Sequence, residues 1–305
     1  LWLVGGVMVV LAISTGVAQV LATRTDSLLD KSAIEILKRR LQAWWLMCAV
    51  LAATFLVGRR ATVVLFGLIS FWALREFITL TPTRTADHRT LFWVFFLFTP
   101  LQYLLVGMDQ YGLYSVLIPV YAFLFIPARI ALAGDYKRFL ERTAKIQAGL
   151  MVCVYCLSYA PALLYLKIPG TGDNARLLFF FVLVVQMGDV LEYAWEKLLG
   201  GHVIAPAINP SKTWEGFLGG ILSASLLGSL LWWATPFAPW EAGLMSLVIT
   251  IAGFAGGLTM SAVKRDRGVS DYGTLVTGHG GVLDRLDSIC FAAPIFFHIT
   301  RFMIS

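Results

Sequence analysis

Residues 241–304 read EAGLMSLVITIAGFAGGLTMSAVKRDRGVSDYGTLVTGHGGVLDRLDSICFAAPIFFHITRFMI. Two apolar runs, 241–263 and 288–304, bracket the most polar long stretch of the chain, Ser261 to Ser288. A helix crosses a bilayer in about 20 apolar residues, with some latitude, so each run is a candidate span. An open strand would leave backbone N–H and C=O groups unpaired in lipid, which makes helix the spanning form. The polar stretch between the runs then lies at a membrane surface. It holds Lys264, Arg265, Arg267 and Arg285 beside Asp266, Asp271, Asp284 and Asp287, around a Gly278-His279-Gly280-Gly281 turn.

The same alternation runs through the whole chain. Of its 305 residues, 58% are hydrophobic and 14% charged, with a mean hydropathy of +0.77. One soluble core cannot hide so much apolar surface, so the expected fold is an all-α, polytopic membrane helix bundle. Ten spans are expected: 1–22, 42–58, 61–81, 91–107, 112–131, 146–166, 175–193, 215–234, 241–263 and 288–304. With the segment after the first span assigned to the cytoplasm, 18 of the 24 Lys and Arg fall on that side. Arg59, Arg60, Lys167, Arg176 and Arg301 fall on the other, and Arg75 lies inside a span. That asymmetry supports the topology and gathers 82–90, 194–214 and 264–287 on the cytoplasmic face. The chain divides into N-terminal membrane helices, 1–145, and a C-terminal region carrying the polar motifs, 146–305.

The net charge of +6 sits between apolar runs. It fits orientation in a bilayer and anionic ligands; without a basic stripe and interleaved aromatics, nucleic acid is not expected. Nothing resembles an organelle-targeting leader, so a bacterial inner membrane is the expected location. Cys153 and Cys156 form a Cys-x-x-Cys inside a span, with no second pair or His nearby. They are expected to be buried as small apolar residues.

Three polar segments carry candidate chemistry. In the first, turn glycines let a backbone approach a ligand closely. Amide N–H groups, Lys and Arg can hold phosphate oxygens there while carboxylates hold a metal. Asp284 and Asp287 share a face if a helix starts after Gly281; a solvated loop is the plainer alternative. In the second, Asp189, Glu192 and Glu196 line one helical face at the end of the seventh span. They suit a metal or a base, or ion pairs with Lys197 or loop cations. In the third, Asn209-Pro210-Ser211-Lys212-Thr213-Trp214-Glu215-Gly216 lets Thr213 cap a helix, with Glu215 in its first turn. Lys212 beside that helix start makes a phosphate site. Gly216 with Gly220, and Gly253 with Gly257, are spaced for close helix packing. Arg75-Glu76 is either a local ion pair that snorkels or a group facing the protein interior.

The stretches Ser261-x-x-Lys264-Arg265 and Gly278-His279-Gly280-Gly281-x-x-Asp284-Arg285-x-Asp287 resemble the signature of the CDP-diacylglycerol synthase (phosphatidate cytidylyltransferase) family. Asp271, Asp189, Tyr193, Lys212, Thr213 and Gly216 also match its motifs. Ser270 replaces a usual Lys, Thr277 a usual Pro, Asn209 a usual Ser and Gly257 a usual Asp. The resemblance implies an enzyme that condenses CTP with phosphatidate, giving CDP-diacylglycerol and pyrophosphate. It implies Mg2+, or Mn2+, on Asp284 with Asp287 or Asp189, and catalytic roles for Asp284, Lys264, Arg265 and Asp189. Phosphates would be held by Lys212, Thr213, His279, Gly280, Gly281 and Arg285. The expected partners are CTP, phosphatidate, the lipid bilayer and, in a homodimer, a second copy of the chain. The alternatives are a CTP-dependent polyprenol kinase, and a catalytically impaired protein that binds lipid or nucleotide without turning it over.

Overall fold

The computed structural model describes residues 57–80, 83–168, 174–273 and 280–304. Eight helices account for most of them. They are α1 Arg59–Leu80, α2 Thr85–Gly107, α3 Tyr111–Ala131, α4 Phe139–Tyr165, α5 Ala175–Leu199, α6 Trp214–Leu230, α7 Pro239–Arg267 and α8 Leu283–Ile304. All except the 17-residue α6 are long and apolar enough to cross a membrane. The described residues thus give seven full spans and one short apolar helix, against the ten spans expected. The expected spans 1–22 and 42–58 lie outside the described residues, apart from 57–58. The architecture is a helical membrane bundle, and the protein is a multi-pass membrane protein.

A two-stranded antiparallel hairpin, β1 Val203–Ala205 and β2 Asn209–Thr213, joins α5 to α6. Periodicity gives no warning of strands this short. Helix ends follow local chemistry. Thr213 Oγ1 accepts the Gly216 N–H at 3.2 Å and caps α6, the usual service of a Thr N-cap. α7 begins at Pro239, where a missing N–H costs nothing, and Glu241 accepts the Ala238 N–H at 2.8 Å. It ends at Gly268, which takes φ +67 as a left-handed C-terminal cap. α5 runs past the expected end at 193 to Leu199, so Glu196 is helical.

Side chains from α4, α5 and α8 fill the centre. Tyr159, Phe180, Phe181, Phe296 and Phe297 are fully buried, and Phe181 stacks on Phe296 with ring centroids 5.2 Å apart. Between α6 and α7 the contact is made by small residues. A Cβ on Gly228 would meet Ser246, and one on Gly243 would meet Ser229, so the two backbones lie close. In lipid, where apolar surface gains nothing by leaving the solvent, such packing is what holds helices together. Leu68, Phe96, Leu124, Leu222 and Leu226 point outward, as a lipid-facing surface would. The chain runs up and down, so the end of α1, the start of α2, the end of α3 and the start of α4 share one end of the bundle. The end of α5, the hairpin, the start of α6, the end of α7 and the start of α8 lie there too.

One buried ion network ties the loops of the first four helices together at that end. The Arg142 guanidinium contacts both Asp87 oxygens and donates to the carbonyls of Asp135 (3.0 Å) and Lys137 (2.9 Å). Asp135 also pairs with Arg84 at 3.2 Å. Asp87 and Arg142 are both buried. Removing one member of a buried pair strands the other, at a cost of about 3–5 kcal/mol. Asp87→Ala and Arg142→Met are each expected to lower the midpoint of thermal unfolding in detergent. In the double variant the loss should be well below the sum of the two singles, because no buried charge is then left alone.

Candidate active site

Four pieces of chain meet at the polar end of the bundle: the end of α5, the hairpin with the start of α6, the end of α7, and the loop that leads into α8. The hairpin is fastened to α7 by side chains. Asn209 Nδ2 donates to Ser261 Oγ at 3.3 Å, and Arg265 Nε donates to the Ile208 carbonyl at 3.1 Å. The second bond uses Arg265, expected on phosphate, to hold backbone. Asn209 Oδ1 accepts from Ser211 N (3.2 Å) and Oγ (2.8 Å), which shapes β2 just before Lys212.

Lys212 reaches back to α5. Its Nζ lies 2.9 Å from Glu192 and 3.5 Å from Glu196. Burial disfavours the charge on Lys212, but the two carboxylates outweigh it and hold its pKa above the ordinary lysine value. The two acids fit because their neighbours on α6 are glycines. A Cβ on Gly216 would meet Glu196 Cγ, and one on Gly220 would meet Glu192 Cβ. One oxygen of Glu192 is buried without a hydrogen-bond partner.

Lys264 and Asp284 form the second ion pair, 2.8 Å from Nζ to Oδ1. The other oxygen of Asp284 accepts the N–H groups of Tyr272 (2.9 Å) and Gly281 (2.8 Å). Both Asp284 oxygens are therefore engaged, and the Gly281 amide is turned on Asp284. Gly280 has φ +79, and a Cβ there would meet both Asp284 and Asp271. Asp271 itself accepts the Ser270 hydroxyl at 2.7 Å. Tyr272 Oη donates to the Met260 carbonyl at 2.9 Å, and its hydroxyl pKa is raised, chiefly by burial.

Asp189 and Asp287 form the third group. Ser288 links them: its hydroxyl donates to Asp189 Oδ1 at 3.0 Å and its N–H to Asp287 Oδ1 at 2.8 Å. Each acid keeps its second oxygen without a donor among the described residues. The fields of all three groups overlap. Asp189 interacts electrostatically with Asp287, Lys212 and Glu192, and Asp287 with Lys264, Asp284 and Lys212. Asp189, Lys212, Lys264, Asp284 and Asp287 thus share one site. Gln186 Nε2 donates to the Arg285 carbonyl at 3.1 Å, docking the turn at the start of α8 on α5. His279 lies outside the described residues.

Gly257 borders Asp287. A Cβ there would stand 3.8 Å from Asp287 Oδ2 and 4.0 Å from Ser288 Oγ, which is ordinary contact. The tight positions are Gly256, whose Cβ would come within 2.6 Å of the Asp287 carbonyl, and Gly253, at 3.3 Å from Ser288 Cβ. Helix packing therefore explains Gly256 and Gly253 and does not explain Gly257, contrary to the expectation from spacing alone.

Among the described residues, no three His, Cys, Asp or Glu side chains form a metal cage by themselves. The donor set nevertheless suits Mg2+. That ion keeps several waters and binds through one or two carboxylates plus substrate phosphates. Asp189 and Asp287 offer two such carboxylates, each with an oxygen to spare. Asp284 could join only by sharing the oxygen held by Lys264.

Sequence reasoning underrated one residue. Glu76, on α1, is buried and accepts the N–H groups of Val282 (3.0 Å) and Leu283 (2.8 Å) at the start of α8. The available signal was a lone carboxylate in an apolar run. It left a snorkelling ion pair and an interior-facing group both open, and gave no partner 206 residues away.

Residues 38–303 match the model of the cytidylyltransferase family. An uncharacterised protein of Escherichia coli (strain K12), YnbB, is 38% identical over 267 residues, 86% of this chain and 87% of that protein. A phosphatidate cytidylyltransferase of Mycobacterium leprae is 35% identical over 175 residues, 55% of this chain and 53% of that one. Another, from Staphylococcus haemolyticus, is 35% identical over 126 residues, 41% of this chain and 48% of its own length. The chain spans about half the length of these two namesakes of the activity. With a match that extends over most of its length, the chain belongs to the cytidylyltransferase family and is a CDP-diacylglycerol synthase-like membrane nucleotidyltransferase.

Proposed function

We propose that this protein condenses CTP with phosphatidate, or a closely related lipid phosphate, at the cytoplasmic face of a bacterial inner membrane. The observation that carries the proposal is the meeting of Asp189, Lys212, Lys264, Asp284 and Asp287 from distant parts of the chain at one membrane-edge site. A phosphate oxygen of the lipid attacks the α-phosphorus of CTP. As that P–O bond forms, the bond from the α-phosphorus to the α–β bridging oxygen breaks, and pyrophosphate leaves with the electron pair. CDP-diacylglycerol remains in the membrane.

Both reactants are polyanions, so the site has to neutralise charge and align the groups rather than supply a nucleophile of its own. Lys264 and Lys212 hold phosphate oxygens, each exchanging part of its carboxylate contact for the substrate. Arg285, Thr213 and the Gly280 turn, with His279 by its motif match, complete the phosphate contacts. Asp189 and Asp287 hold Mg2+ or Mn2+, which supplies Lewis-acid neutralisation of the phosphates when bound. Asp284 orders the loop and fixes Lys264. Arg265 keeps the hairpin against α7, and with it Lys212.

The decisive assay uses purified protein in phosphatidate-containing micelles with radiolabelled CTP and Mg2+. It is expected to yield CDP-lipid and pyrophosphate in equal amounts. Asp189→Asn and Asp287→Asn should each lower kcat by about a hundredfold or more, the scale seen when one preorganised electrostatic group is lost. Release of CDP with a newly phosphorylated lipid would instead identify a kinase. No CDP-lipid under any divalent metal would favour a binding protein, the reading to which the absent carboxylate at Gly257 gives weight.

Gly257 allows a direct test of the metal assignment. Space beside Asp287 admits a Cβ, so Gly257→Asp should place a third carboxylate at the Asp189–Asp287 pair. Without divalent metal, the added like charge is expected to lower the thermal midpoint. With Mg2+ the midpoint should recover, and half-maximal activity should need about tenfold less metal. An unchanged metal dependence would move the cation away from this pair.

A further inference from the structure

We propose that Glu76 is a positioning residue for the nucleotidyl transfer, holding the turn that carries Asp284 from outside the motif-bearing half of the chain. The inference builds on the reading of the site given above and adds to it a residue on α1, far in sequence from the Lys264–Asp287 stretch.

Glu76 sits one turn before the end of α1 and is only 6% exposed. Among the described residues, no Lys or Arg forms an ion pair with it. Its charge is met by backbone instead: Oε1 accepts from Val282 and Oε2 from Leu283. These are amides at the start of a helix, where the chain itself provides no acceptor. Glu76 therefore caps α8 as an N-cap residue would, but from another helix.

Glycines on both stems of the loop record how closely Glu76 approaches. A Cβ on Gly273 would come within 2.8 Å of Glu76 Oε1, and one on Gly281 would collide with Oε2. The next residue on α1 reinforces the contact. Phe77 stacks on Tyr272, with centroids 6.4 Å apart and an interplanar angle of 17°. Glu76 and Phe77 thus grip residues 272–273 and 281–283 together. Both stems feed Asp284, which takes its two amide hydrogen bonds from Tyr272 and Gly281. Loss of the Glu76 carboxylate would loosen the cradle that aims Asp284 and Lys264 while leaving both of them in place.

Three measurements test this. In Glu76→Gln, one oxygen becomes an NH2 that faces an amide donor. Hydrogen exchange at Val282 and Leu283 should accelerate about tenfold or more, the scale of losing a charge-assisted hydrogen bond. kcat should fall at least tenfold while KM for CTP stays within about twofold, the signature of a group acting on the transition state. The third measurement is coupling. On Gly273 the three nearest contacts of an added Cβ would all be Glu76 atoms, so Gly273→Ala should impair the natural enzyme yet add little to Glu76→Ala. If Glu76→Gln misfolds, the Gly273 cycle in Glu76→Ala still reports on the contact. Unchanged exchange at 282–283, additive Gly273 and Glu76 effects, or a lower thermal midpoint with unchanged kcat per folded molecule would each overturn the proposal. A natural protein that makes no CDP-lipid would sink the catalytic role along with the proposed reaction. Exchange and thermal coupling would then still show whether the grip itself is real, so the two failures can be told apart.

Discussion

Asp284 governs the polar end of the bundle because each of its oxygens is held by a different part of the chain. One is bound by Lys264 from the end of α7, the other by amides on either side of the loop. A carboxylate at the rim of a membrane is unstable without donors. Here the donors that satisfy it also bring α7, the loop and the start of α8 to one point. Remove the carboxylate and the Lys264 charge, the Tyr272 amide and the Gly281 amide all lose a partner together. Charge-assisted bonds of this kind are stronger than neutral ones and directional, which suits a loop that must present functional groups in a fixed arrangement.

The rest of the site is a problem in charge balance. Asp189, Glu192, Glu196, Asp284 and Asp287 face Lys212 and Lys264 within one connected field. Carboxylates exceed lysines, and among the described residues Asp189 and Asp287 each keep one oxygen without a donor. Under the proposed reading, Asp189 and Asp287 would hold a divalent cation that relieves this excess. Lys212, clamped between two glutamates, is kept charged and in place. The acidic face of α5 thus holds Lys212 with Glu192 and Glu196 and presents Asp189 to Ser288.

Much of this was legible in the residues. Apolar runs of bilayer length, separated by basic loops, gave the bundle and every described helix, because burying backbone in lipid leaves little choice of form. Thr213 as a cap followed from its place before Trp214-Glu215-Gly216. Partner choice was not legible. Asp189, Glu192 and Glu196 share a helical face, yet spacing cannot say that Lys212 takes the two glutamates while Ser288 takes the aspartate. The hairpin was invisible because two short strands carry no period. Glu76 was the largest gap: its partners are backbone amides, which have no sequence signature at all. Only the glycines at 273 and 281 hint that something occupies the space beside them.

The glycines of α7 show how far spacing can mislead. Gly253 and Gly257 are four apart, which suggests one packing stripe, but the contact with α8 falls on Gly253 and Gly256. Gly257 has turned toward the acids instead, where nothing in the packing demands a missing side chain. A residue absent for steric reasons would tell us about the bundle; one absent where space remains concerns the chemistry. The site therefore has one carboxylate fewer than its resemblance implies, at a position where a Cβ would meet only ordinary contacts. Asp189 and Asp287, tied together through Ser288, are the acids that remain beside it. Both are held by one serine, whose hydroxyl and amide bind a different acid each, so protein contacts alone fix where the two carboxylates stand.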